Sequence, residues 1–513
     1  MQLTQALHRN AQQMPSDIAT SCEGRVRTWT ESRGRVAGLA GGLLAHGVGT
    51  GDRVAIASLN SDHYHEMLLA TWWAGALVNP VNIRWSPAEI SYSLVDSSTR
   101  VLFVDDAFAA ALPAIREGAP QLKTVIHAGA GVTPDGAVPL EDLVASTPVD
   151  DARRGGADIA GVFYTGGTTG FPKGVMLSHQ AMLVSALGSA AAGAFVPGAT
   201  LLHAAPMFHL ADLAAWTGTN MLGGSHVMVP AFNPAGVLAA IEEHSVSDAL
   251  LVPTMLQMLV DAPGFADADL SSLRRILYGA SPIAASLLER IQSALPTVRL
   301  TQAYGMTELA PIASVLTSED HQVERLRRSA GRAAPHAEVI VADPEGNEVE
   351  RGVVGEVLVR GGHVMDGYWG KPEETADALR GGWMHTGDGA YMDDAGYIFI
   401  VDRLKDMIVS GGENVYSAEV ENALSSHPAV AACAVIGVPD PEWGERVHAV
   451  VVLRPGQTVT VEGLRDHAKA LIATYKAPRS METVDALPLS GAGKVLKREL
   501  RAAHWGDTDR NVG

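Results

Sequence analysis

Residues 164–174 read YTGGTTGFPKG and directly follow the apolar run IAGVF at 159–163. Glycines leave a backbone that can turn tightly with its N–H groups facing a ligand, the threonines add hydroxyl donors, and Lys173 adds a positive charge. Such a loop suits phosphate. A Walker loop runs Gly-x-x-x-x-Gly-Lys followed by Ser or Thr, whereas here the lysine follows Pro172 and precedes Gly174, so a P-loop NTPase is a poor fit. A Gly/Thr surface turn is the plain alternative.

Outward from this loop, apolar runs alternate with helical spacing. VAIASL (54–59), ALVNPV (76–81) and VLFV (101–104) read as buried strands, with helices at 30–46, 63–74, 86–96 and 106–117. Strands alternating with helices predict a parallel α/β sheet. Residues 128–157, rich in Gly, Pro, Asp and Ala, read as a connection; strands at 159–164, 200–204, 225–229, 249–252, 275–278 and 298–303 then predict a second α/β sheet. From about 338, EVIVAD, GEVLVR and GYIFIV are separated by turn chemistry and predict a smaller β unit. Beyond 404, helices at 417–425 and 461–471 and strands at 430–437, 447–453 and 481–485 are enough for a unit that folds separately.

The chain has 513 residues, 47% of them hydrophobic, which is enough for about three domains with real cores. A net charge of -19 argues against nucleic acid or an anionic membrane as a partner through bulk electrostatics. Two distant cysteines, Cys22 and Cys433, exclude a disulfide framework and a cysteine-rich metal site. The start, MQLTQALHRNAQQMP, lacks the pattern of a signal peptide, and the uncharged stretch 180–202 is broken by Pro197 and reads as a buried helix followed by a strand. A cytoplasmic enzyme without a transmembrane segment is the expectation, with a homodimer left open.

Further polar stretches interrupt apolar context: PMFHL (206–210), YGASP (278–282), YGMTE (304–308), WMHTGD (383–388), DRLKDMIVSGGENVY (402–416) and LPLSGAGKVLKREL (487–500). Taken in this order with YTGGTTGFPKG, they resemble the acyl-adenylate-forming superfamily, in particular its acyl-CoA synthetase branch of AMP-binding enzymes. The resemblance covers nearly the whole chain. It implies an α/β fold with a large N-terminal domain, 1–402, of two packed α/β sheets plus a small β-barrel-like subdomain. A smaller, mobile α+β C-terminal domain, 403–513, carries the catalytic lysine. It also implies that a carboxylic acid and ATP give an acyl-adenylate and pyrophosphate, after which CoA takes the acyl group, with Mg²⁺ on the phosphates.

Catalytic roles then fall to Lys494, His209 and Glu308. A carboxylate must approach an anionic α-phosphate, and Lys494 supplies the positive charge between them; its neighbours Lys497 and Arg498 read as solvated surface residues. Glu308 is the Mg²⁺ ligand, with Thr168 beside the ion, or alternatively a helix N-terminal charge. Thr165, Gly166, Gly167, Thr168, Thr169, Gly170 and Lys173 grip phosphate, and Thr307 adds a hydroxyl. Tyr304 offers a face to adenine, with Gly279, Ala280 and Ser281 leaving room at the base edge and Gly305 and Met306 alongside; an ordinary core tyrosine is the alternative. Asp388 accepts from the ribose hydroxyls, as acidic residues do in other nucleotide sites, with Arg403 and Ile400 nearby. Lys405 falls at the hinge about which the small domain rotates between half-reactions.

The acyl pocket takes His209, Leu210, Ala211, Ala280 and Ala310, with His209 as a gate or wall residue to which no proton transfer is assigned. This small and apolar lining suits a medium or long acyl chain or an aromatic ring. For CoA, Gly411 and Gly412 line a pantetheine tunnel, Trp443 stacks on the nucleotide and Arg84 reaches a phosphate. The alternative is a ligase that passes the adenylate to an amine. Three departures from the family pattern stand out. Gly166 replaces a common serine. Asp212 replaces a common Gly or Ala and either bonds a polar substrate group or caps the helix of 213–222. Ser417 replaces a common proline and reads as a helix N-cap.

Overall fold

The computed structural model describes residues 1–165, 172–281, 283–403, 406–410, 413–490 and 494–505. Residues 166–170, Lys405, Gly411 and Gly412, assigned above to phosphate, hinge and tunnel, lie outside them, as does the side chain of Arg403.

The short buried apolar runs become strands, whose sheet pairing satisfies the backbone polar groups that burial removes from water. Arg53–Ala57, Leu77–Pro80 and Val101–Val104 pair in parallel at the centre of an eight-stranded sheet. Thr200–His203, Ser225–Met228, Asp248–Leu250, Arg275–Gly279 and Arg299–Gly305 form the parallel body of a nine-stranded sheet. Helices Asp62–Trp73 and Leu210–Met221 follow strands of different sheets, and Trp72 meets Trp216 between them with ring centroids 5.8 Å apart. Both helices are buried on nearly every face, as a layer between two sheets requires.

Two expectations change. The strand Ile159–Thr165 does not start the second sheet; it joins the first, Gly161 opposite Val78, and turns back as Lys173–Ser178. Local alternation reports that a strand exists and carries no information on which sheet receives it. The second sheet is instead completed by an N-terminal hairpin, Ile18–Cys22 with Arg25–Thr28, which adds alongside Ser225–Met228. These short edge strands are too polar on one side to stand out as apolar runs.

Glu338–Ala342, Gly355–Arg360, Met384–Met392 and Ile398–Arg403 form the expected small antiparallel sheet. The last unit is built on the long hairpin Val430–Asp440 with Gly444–Leu453, flanked by helices Ser417–Ser425, Val461–Lys469 and Lys497–Trp505. Residues 180–202 divide into helix His179–Ala191 and the start of strand Thr200–His203, as read from the sequence. Among the described residues no helix is long and apolar enough to cross a membrane.

Ser417 is not the N-cap; it is the first helical residue, and Tyr416 before it makes no side-chain cap. Its N–H and Oγ both donate to Asp402 Oδ2, at 2.5 and 2.6 Å. Lys497 is not a solvated surface lysine either. Its ammonium donates to Ser417 Oγ and pairs with Glu421 Oε1 at 2.7 Å, with 15% of the side chain exposed. Burial works against its charge, but Glu421 and Asp402 more than offset this and lift its pKa. With Arg501 paired to Asp406 at 2.5 Å, both aspartates flanking residues 403–405 are gripped by the last unit.

Candidate functional site

The carboxyl ends of strands from both large sheets face one region, as ligand sites in open α/β sheets do. From the first sheet comes the hairpin flanking 166–171, in which Thr165 stands opposite Lys173. Its base is held firmly: Tyr164 donates to Asp96 Oδ2 at 2.6 Å, and Trp369 Nε1 donates to the Asp96 carbonyl at 3.1 Å. Lys173 Nζ lies 5.1 Å from the centre of the Tyr368 ring, and the Tyr368 hydroxyl donates to Glu308 Oε1 at 2.9 Å. Tyr368 thus joins the phosphate hairpin to Glu308. Sequence reading missed it, although it sits in the aromatic pair Tyr368-Trp369, whose strand Gly367–Tyr368 pairs with Lys173–Ser178.

From the second sheet come Gly279 and Gly305, the last residues of adjacent parallel strands. A Cβ on Gly279 would lie 2.3 Å from the Ala303 carbonyl oxygen, and one on Gly305 would lie 1.9 Å from that of Pro311. These glycines therefore serve close backbone packing, and room at a base edge is not their main reason. Ala280 and Ala310, both assigned to the acyl pocket, have φ of 65° and 56°. Left-handed backbone costs a non-glycine residue about 1 kcal/mol, a strain that concentrates at ligand sites.

Thr307–Leu309 forms a short 3₁₀ turn that carries Glu308, which is buried; its backbone carbonyl accepts from Met365 N–H at 2.8 Å. Tyr304 donates to Asp388 Oδ2 at 2.8 Å, bringing together the residues assigned to adenine and ribose. Asp388 stands opposite Arg403, and Ile400 opposite Ala390, in the small sheet. Met306 and Ile400 pack against the main core from the same side.

His209 caps helix Leu210–Met221, its Nδ1 accepting from Ala211 N–H at 3.3 Å. That bond leaves the neutral ring with its proton on Nε2. The residue is half-buried and lines a small cavity together with Ala211, Ala280, Leu250, Val252 and Met255. Burial, and then the charge of Lys494, depress its pKa to about 4. Lys494 belongs to the C-terminal unit, so its ammonium comes within electrostatic reach of the cavity wall. Leu210 and Ala310, assigned to the acyl pocket, belong instead to the buried core cluster and do not line this cavity. A second space of about 380 Å³ lies beneath the nine-stranded sheet around Phe195 and Ile276, and its charged pair, Asp248 with Arg275, is self-satisfied at 2.6 Å.

Arg84, assigned to a CoA phosphate, instead donates to the Ser490 carbonyl at 2.6 Å and ties the first domain to the loop before Lys494. Trp443 lies in the turn between the two long strands of the last unit, with the Arg479 guanidinium 4.0 Å from its ring centre. One face of the indole is thereby covered.

Several histidines here are buried and neutral. Burial holds His65 and His179 near 4 and His363 near 3. An unfolded histidine binds its proton at about 6.5, so stability is full above that pH and falls as acid drives the chain toward 4. Each contributes a loss of roughly 2 kcal/mol between pH 7 and pH 5. Melting curves are expected to shift markedly downward over that interval, and an unchanged midpoint would contradict this assignment.

Residues 7–369 match the family model of the AMP-binding enzymes, and residues 419–494 match the C-terminal domain of the same enzymes. A feruloyl-CoA synthase of Amycolatopsis sp is 41% identical over 494 residues, covering 96% of this chain and 97% of its own. Among solved structures, an amide bond synthetase from Marinactinospora thermotolerans superposes with a TM-score of 0.87 at 32% identity, over 98% of this chain and 99% of that one. An o-succinylbenzoate CoA synthetase from Bacillus subtilis, solved with its acyl-adenylate, has a TM-score of 0.85 at 30% identity and 98% coverage of both chains.

Proposed function

The chain belongs to the AMP-binding enzyme family, and on that premise we propose that it joins a carboxylic acid to AMP and passes the acyl group to CoA. The observation that carries this reading is the geometry at the strand ends, where Tyr304 donates to Asp388 Oδ2 at 2.8 Å and Tyr368 donates to Glu308 Oε1 at 2.9 Å. A carboxylic acid in the nearby cavity would have its apolar body among Leu250, Val252 and Met255, with Lys494 approaching from the C-terminal unit. Lys494 lowers the repulsion between this carboxylate and the α-phosphate and stabilises the charge that develops as pyrophosphate leaves.

ATP lies across the strand ends, adenine against Tyr304, ribose on Asp388 and the β- and γ-phosphates on the hairpin of Thr165 and Lys173. Glu308 would hold Mg²⁺: one buried carboxylate suits an ion that takes one or two protein carboxylates and completes its shell with water and phosphate oxygens, and the ion would supply screening of the phosphate charge. Tyr368, donating to Glu308, orients that carboxylate. Tyr368→Phe is expected to cut kcat/KM for ATP in pyrophosphate release about tenfold, the value of one hydrogen bond to a charged group, with a modest fall in melting temperature from the lost bond. A rate within twofold of the parent would remove Tyr368 from this role.

His209 is a neutral wall of the acyl pocket and transfers no proton. In thioester formation the unit beyond Lys405 rotates, Lys494 withdraws and Gly411 and Gly412 come to line the thiol's path. Ser490 then leaves Arg84, whose guanidinium becomes available to a CoA phosphate. An aryl acid is favoured over a long chain by the feruloyl-CoA synthase relative. The second reading, transfer to an amine, is favoured by the likeness to an amide bond synthetase. Product formation across a panel of benzoic, cinnamic and fatty acids, with CoA or with added amines, separates the two. Acyl-CoA is the expected product, and amide formation without CoA would reverse the choice.

A further inference from the structure

Asp212 stands in the acyl cavity with half of its carboxylate unused. It is the third residue of helix Leu210–Met221, fully buried, and lines the same cavity as His209, Leu250, Val252, Met255 and Ala280. The sequence offered two uses for it. Capping is ruled out, because His209 supplies the cap and Asp212 makes no bond to the helix N–H groups. Its Oδ2 instead lies 2.6 Å from His203 Nδ1, and His203 Nε2 lies 2.9 Å from His226 Nδ1. The two imidazoles stack with centroids 5.1 Å apart. This relay is itself buried and fixes how the carboxylate points.

Asp212 Oδ1 has no hydrogen-bond partner among the described residues and no access to solvent. The Tyr64 hydroxyl, close enough to feel the Asp212 charge, is also buried and unpartnered. Buried carboxylate oxygens seldom lack a donor, and side chains in such a state persist where something else completes them. Leu250, Val252, Met255 and Ala280 carry no polar side-chain atom. His209 and Asp212, three residues apart, lie on the same face of the helix start, about 5–6 Å between Cβ atoms. An acid occupying this cavity lies against Asp212 as well as His209.

We propose that Asp212 is an acceptor subsite of the acyl pocket, selecting ring acids that bear a hydrogen-bond donor, a phenolic O–H or a ring N–H, over analogues that lack one. This rests on the adenylation reading above. Selectivity of this kind is strong in sites built to bond a polar group, because the donorless analogue leaves the buried acceptor unpaired.

The test measures acid-dependent pyrophosphate release by the full chain on matched pairs: 3- and 4-hydroxycinnamate against cinnamate, hydroxybenzoates against benzoate, and indole carboxylates against naphthoates. The parent enzyme is expected to favour at least one donor-bearing acid over its partner by ten- to a hundredfold in kcat/KM. Asp212→Ala is expected to bring that ratio to within about threefold of unity by losing more rate on the donor-bearing acid than on its partner. A parent ratio near one for every pair overturns the subsite, whether or not the variant folds. So does an equal loss on both members of a pair, which marks Asp212 as a purely structural partner of His203. Release of pyrophosphate from cinnamate or a fatty acid with no preference for donors sinks this proposal and leaves the adenylation reading standing. No release from any acid sinks both.

Discussion

Lys494→Ala is expected to lower acid-dependent pyrophosphate release by about 10³-fold while acyl-CoA formation from supplied acyl-adenylate falls only a few-fold. The asymmetry follows from where the ammonium acts. In the arrangement described, its charge reaches the His209 wall of the acyl cavity, and the loop that carries it is tied down by Arg84 through the Ser490 carbonyl. Adenylation brings two anions together and needs that charge at the new bond. Transfer to a thiol starts from a mixed anhydride whose repulsion is already relieved, and it uses a different orientation of the last unit. Equal losses in both half-reactions would show that Lys494 supports the fold or binds both substrates, and the role assigned to it would fall.

Lys497→Met, three residues away, is expected to do the reverse. It should destabilise the C-terminal unit by roughly 1–3 kcal/mol, because it leaves the half-buried Glu421 without its charged partner. Glu421 also accepts from Val435 N–H at 2.7 Å, so it cannot turn out to water without breaking a second bond. The double variant Lys497→Met with Glu421→Leu is expected to recover most of the loss, since a buried ion pair is often replaced by apolar groups at little cost. Two-step melting, with the early step in Lys497→Met alone, is the readout. A single variant that melts like the parent would mean that the pair is solvated in solution. Because Lys497 also holds Ser417 against Asp402, the same substitution loosens the junction before residues 403–405.

These two lysines mark the reach and the limit of the sequence. Lys494 was legible because its motif stands in order with the others. Lys497 was misread because a lysine in KVLKREL looks solvated until the fold brings Glu421 and Asp402 to it from more than seventy residues away. Strands such as Val101–Val104 were legible because burial on both faces writes itself as an unbroken apolar run. The sheet that receives Ile159–Thr165 was not, since pairing is decided by partners distant in the chain. Within the site, the Tyr304 and Asp388 motifs pointed to a single nucleotide pocket, and the 2.8 Å bond between the two residues brings them together. Tyr368 and the Asp212, His203 and His226 relay carried no motif and depend wholly on tertiary approach. Gly279 was read for the space it leaves, when it is the Ala303 carbonyl that fills that space.

The most direct test of the central claim is to identify the nucleotide products formed from ATP by the purified full chain, with and without a panel of carboxylic acids and with CoA present. The account predicts AMP and pyrophosphate in equal amounts, only when acid is added, with acyl-CoA appearing in step. Release of ADP and phosphate, or AMP formation indifferent to acid, would contradict it.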